Sequence, residues 1–160
     1  MRILLQLFIF CLLFTMLVGY AVRGGAIEGL YFYPKPYQEE AYARGLAEKK
    51  TVAEKRKRFM GPFILIMFIA LIFIIAFWNR VPGFKEAYLQ ALLFLEVMNW
   101  YDGIFIDRLW VGHSDFWKIQ GMKDVPYVQT WPQVMKKRCI LSLIWIAGAA
   151  VAAGIVTLIR

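Results

Sequence analysis

Residues 99–117 read NWYDGIFIDRLWVGHSDFW. Asn99, Asp102, Asp107 and the chain's one histidine, His113, are set here among aromatic and aliphatic side chains. Brought together, Asp102, Asp107 and His113 would form a carboxylate-imidazole set able to move protons. At a membrane boundary, such a set would act on lipid or isoprenoid headgroups. One turn earlier comes Glu96. On a helix advancing about 100° per residue, Glu96, Asn99 and Gly103 lie within about 60° of one another, and Asp102 widens the stripe. Polar groups on an apolar helix are costly and face protein or water. Glu96, Asn99 and Asp102 could therefore hold a coupling proton or cation, or could simply fix helix packing. His113-Ser114-Asp115 offers one imidazole and scattered carboxylates, which is poor metal chemistry, so no metal is expected. Haem would want histidines within an apolar span, and there are none, so no cofactor is expected.

The surrounding elements decide where this stretch lies. Of 160 residues, 61% are hydrophobic and only 19% are charged, and the mean hydropathy is +0.56. Those values exclude an ordinary soluble domain and indicate a membrane protein. Residues 3–22, 59–78 and 139–159 are runs without a charge. A helix needs roughly 20 residues to cross a hydrocarbon core of about 30 Å, so each run can span. Residues 87–106 form a fourth apolar window despite Glu96 and Asp102, and supply the return of the 59–78 helix. The expected fold is all-α: one integral membrane four-helix bundle covering residues 1–160, with interfacial segments at 23–58 and 107–138.

Charge placement orients it. Arg2, Arg80, Lys85 and Arg160 would lie on one side, and the other fifteen cations on the opposite side. The positive-inside rule puts the fifteen in the cytoplasm and both termini outside. The first helix exceeds the usual 7–15-residue core of a signal peptide and is read as a retained anchor. Net charge is +8, with the cations close to the spans. Lys55, Arg56, Lys57, Arg58, Lys136, Lys137 and Arg138 are expected to set topology and meet anionic lipid headgroups. No nucleic-acid-binding signature accompanies them. Cys11 and Cys139 lie at different depths, which suggests no disulfide.

Finer signals position the segments. Gly24-Gly25 opens the first connection, Leu30–Pro34 is an aromatic cluster, and a short polar helix starts near Tyr37 and breaks at Gly45. Thr51-Val52-Ala53-Glu54 and Thr130-Trp131-Pro132-Gln133 read as helix starts. Val81-Pro82-Gly83 turns a helical hairpin. Trp110, Phe116, Trp117, Tyr127 and Trp131 suit a headgroup zone, so the second segment should lie along the membrane surface. Asp107-Arg108 reads as an interfacial ion pair. The small residues of AGAAVAAG, from Gly148/Ala152 to Ala150/Gly154, allow close helix approach, within this chain or with another copy.

Two resemblances attach to these residues. Asp102-Gly103 is similar to the Asp-Gly pair of membrane alcohol phosphotransferases, but their further aspartates and Ala-Arg dipeptide are missing. YFYPKPYQEEAYARGL, YDGIFIDRLWVGHSDFW and IQGMKD resemble a family of small four-helix bacterial integral membrane proteins whose function is uncharacterised. That family's motifs fall here on Tyr101-Asp102, on Asp107, Leu109, Trp110, His113 and Ser114, and on Ile119, Gly121 and Asp124. The last motif departs from the family pattern at Gln120 and Met122. The resemblance implies the inner-membrane topology above and brings no activity with it. No nucleotide, metal or nucleophile motif is complete. The function expected is thus a non-enzymatic accessory, scaffold or regulatory subunit, as a homo-oligomer or within a larger membrane complex. The rivals are a small Glu96-coupled transporter and an enzyme using Asp102, Asp107 and His113.

Overall fold

The computed structural model describes residues 2–159; Arg160, counted above among the outer cations, lies outside them. Among the described residues there are only helices and connections. Helix α1 spans Arg2–Ala21. A 3₁₀ helix, Ala26–Phe32, and the short α2, Lys35–Ala43, follow. Helix α3 runs Lys49–Ile72 and continues as a π-helical turn, Phe73–Trp78. Helix α4, Phe84–Tyr101, likewise passes into π-helix at Asp102–Trp110 and ends in the α-turn Val111–His113. Helix α5 is the 28-residue Trp131–Leu158. Three of these helices, α1, α3 with its π turn, and α5, are long and apolar enough to cross a membrane. The fourth long helix, α4 with its extension, carries too many polar groups to qualify on composition alone.

The helix starts follow their local chemistry. At α5, Gln133 Oε1 accepts from the Thr130 N–H at 2.9 Å, closing one half of a capping box. At α3 the expectation is corrected by three residues: Glu48 occupies the cap position and Thr51 lies inside the first turn. Its hydroxyl donates to the Glu48 carboxylate at 3.3 Å instead of capping. Gly45 takes φ +69 just beyond α2, a left-handed conformation that glycine adopts without strain and that ends the helix. The α3–α4 reversal centres on Arg80, at φ 51, immediately before Val81-Pro82-Gly83.

Helices α4 and α5 make the most extensive pairing. Ala149, Ala152 and Ala153 of α5 and Ala87 and Ala91 of α4 are all fully buried, so the small face is used within this chain. At the α3–α4 turn, a fully buried Gln6 exchanges amide hydrogen bonds with Asn79 at 2.8 and 3.1 Å, and Asn79 donates to Gln90 at 2.9 Å. This amide chain fastens α1 to the hairpin. By contrast, the flanks of α1, α3 and α5 leave large apolar side chains exposed, among them Phe8, Ile64, Phe73 and Leu143.

Candidate functional site

Thr130 sets the start of α5, and the helical period then fixes its inner face. Val134, Arg138, Ala149, Ala152 and Val156 are all buried on it. Arg138 is only 1% exposed, which corrects the headgroup role expected from its place in Lys136-Lys137-Arg138. It lies two turns inside the helix, facing α4. There its Nη1 donates to Asp102 at 2.7 Å and to Asn99 Oδ1 at 3.3 Å, while Nη2 donates to Asp107 at 2.6 Å. A buried guanidinium demands this much compensation, and its fork suits two carboxylates at once. Lys137 adds a bond to Asp107 at 3.1 Å.

The π-helical stretch explains how both acids reach one arginine. Asp102 and Asp107 are five residues apart, an awkward interval on an α-helix but one turn of a π-helix, whose bonds run i to i+5. The Val111 N–H to Ile106 carbonyl bond has that pattern. Gly103 gives Arg138 room: a Cβ built there would lie 2.7 Å from Nε and 3.0 Å from Cδ. Asn99 completes the lattice by donating to the Arg138 carbonyl at 3.1 Å and to Ser142 Oγ at 3.2 Å. Ser142 in turn donates to Glu96 at 2.6 Å. The stripe of Glu96, Asn99, Asp102 and Gly103 thus faces α5.

Asp102 and Asp107 converge, but His113 does not join them. It is exposed, and its Nδ1 lies 3.2 Å from the carbonyl oxygens of Arg108 and Leu109. Asp107-Arg108 is corrected too. Asp107 pairs across to α5, whereas Arg108 donates to the Gln129 carbonyl at 2.7 Å and sits over the Trp131 ring. No cluster of three or more metal-ligating groups occurs among the described residues.

Beside the ion-pair lattice opens a cavity of about 360 Å³. Its lining combines two chemistries. Phe14 and Val18 of α1, Phe59 and Phe63 of α3, Met98 of α4 and Trp145 of α5 supply apolar surface. Asp102, Asp107, Lys137, Arg138 and Arg56 supply charge, and Asn99, Gln129 and Tyr127 further polar groups. Within the sequence-expected basic run, Lys55 is engaged by Glu28 at 2.6 Å, Arg56 lines the cavity, and Lys57 and Arg58 are exposed.

The two segments 23–58 and 107–138 close over this cavity by packing on each other. Tyr33, Tyr37, Trp117 and Tyr127 form one aromatic cluster with ring centroids 5.0–6.1 Å apart. The Tyr33 hydroxyl donates to the Trp117 carbonyl at 2.6 Å, and burial raises the Tyr33 hydroxyl well above the ordinary tyrosine range. Trp117 is 1% exposed, a correction to its expected headgroup position; Phe116 and Trp131 remain about half exposed. A clasp missed in the sequence secures the pair. Arg44 binds both oxygens of Asp124 at 2.8 and 2.7 Å and the Gly121 carbonyl at 2.7 Å. The guanidinium holds the Asp124 carboxyl down at about 2. Gly121, at φ +83, shapes the turn that presents it, despite Gln120 and Met122.

Comparison with known protein families, curated proteins and solved structures finds no match to this chain.

Proposed function

We propose that this chain is a four-span membrane protein that binds an amphiphile in the 360 Å³ cavity and acts as a non-enzymatic accessory or regulatory subunit. Both termini lie outside, and segments 23–58 and 107–138 form its cytoplasmic cover. The carrying observation is the mixed lining of one cavity, to which Phe14, Val18 and Phe63 bring apolar surface and Asp107, Lys137 and Arg56 bring charge. A volume of this size falls in the range of small-ligand sites, and a lining that offers both apolar and charged groups suits a molecule with a head and a tail. The exposed apolar flanks of α1, α3 and α5 support immersion in lipid. The +8 net charge, concentrated in the proposed cytoplasmic segments, supports the orientation and contact of Lys57, Arg58 and Lys136 with anionic headgroups.

Two features favour binding over turnover. Arg138 engages both carboxylates of the cavity, and His113 lies apart from them. The transporter reading draws less support, since Glu96 is tied to Ser142 and does not line the cavity. The test is native mass spectrometry of the protein extracted in mild detergent. The wild type should retain an amphiphile. Val18→Trp, which adds bulk to the apolar lining, should lose it while keeping the helical circular dichroism signal. Equal retention by both proteins, or none by the wild type, overturns the reading. Release of a chemically altered lipid over time would replace binding with catalysis.

A further inference from the structure

Resting on that reading, the lining groups left unengaged identify the ligand's head. Three cations and two carboxylates line the cavity: Arg56, Lys137 and Arg138 against Asp102 and Asp107. Arg138 gives both of its terminal nitrogens to the two acids and Asn99, and its Nε is buried against Gly103 without an acceptor. Lys137 shares Asp107 with it through a longer bond and is 42% exposed. Arg56, by contrast, has no carboxylate partner among the described residues. The cavity therefore carries one cation in excess, displayed by an arginine with its hydrogen-bonding fork open.

The lining also offers apolar surface: Phe14, Val18, Phe63 and Trp145 all contribute to it. We infer that the cavity takes a phospholipid of the cytoplasmic leaflet, its phosphodiester held by Arg56 and Lys137 and its acyl chains meeting those apolar residues. An arginine fork and a lysine ammonium both suit phosphate oxygens.

The test compares two probes with identical chains, dioleoyl phosphatidylglycerol and dioleoylglycerol, added to delipidated full-length protein and read by native mass spectrometry. The wild type should retain the phospholipid preferentially. Loss of one charge-assisted contact should lower that retention roughly tenfold or more in Arg56→Gln. Arg56→Lys should recover part of it, and Arg58→Gln, outside the cavity, should match the wild type. Arg56 is exposed, so these changes leave the fold intact. Equal retention of the two probes overturns the phosphate assignment but leaves the amphiphile cavity standing, whereas retention of neither removes both. Displacement of the phospholipid by inorganic phosphate alone would mark a soluble-anion site and also overturn the inference.

Discussion

Arg138 shows what one side chain does in this molecule. Its guanidinium is buried against two acids and an amide, so removing it strands Asp102 and leaves Asp107 with Lys137 alone. Arg138→Met should destabilise the protein by about 3–5 kcal/mol, measured by unfolding in mixed micelles. Adding Asp102→Asn and Asp107→Asn should recover most of that loss, because the penalty comes from uncompensated charge and not from the missing pair itself. A methyl group at residue 103 acts on the same lattice from the other side. Gly103→Ala places a Cβ 2.7 Å from Arg138 Nε, and crowding of this kind should cost roughly 1–3 kcal/mol. Substituting His113 by Gln should leave stability unchanged, since its ring touches only carbonyl oxygens at the surface.

Among the elements, the two cytoplasmic segments of the proposed topology depend on each other through the Arg44–Asp124 clasp. Asp124 has its pKa lowered to about 2 by that arginine, against an ordinary aspartate value of about 3.9. A depressed carboxylate contributes stability that is fully present above the unfolded value and is lost as pH falls through the folded one. The clasp should therefore hold at neutral pH and release between about pH 4 and pH 2. Arg44→Ala should return the Asp124 titration, followed by carboxyl NMR, towards the ordinary value. The elements themselves were largely legible in the sequence: apolar runs gave three long helices, Gly45 ended α2, and Thr130 with Gln133 marked α5. Their pairings were not, because Arg44–Asp124 and Arg138–Asp102 join residues 80 and 36 positions apart, beyond the reach of any local pattern. Arg138 was nonetheless within reach. Counting helical turns from Thr130 puts it on the face of Val134, Ala149 and Ala152, whereas reading it as the last of three cations hid that. Trp117 was misplaced for a similar reason, since an aromatic ring reads alike at a headgroup boundary and in a cluster between two segments.

At the scale of the whole molecule, the proposed arrangement has both ends on the outer face. Alkaline phosphatase fused after the last residue should be active in intact cells, and green fluorescent protein at the same place should stay dark; the reverse result would invert the topology. Cys139, exposed and directly after Arg138 in α5, should react with a membrane-permeant maleimide and be spared by an impermeant one added to cells. The Arg138 lattice also bears on how the protein is made. Asp102 and Asp107 leave the ribosome 36 and 31 residues ahead of the arginine that neutralises them. Acids near a span resist insertion by a few kcal/mol each. In the proposed four-span topology α4 would therefore meet the membrane before its counter-charge exists, and the arrival of α5 with Arg138 would let the two insert together as a pair.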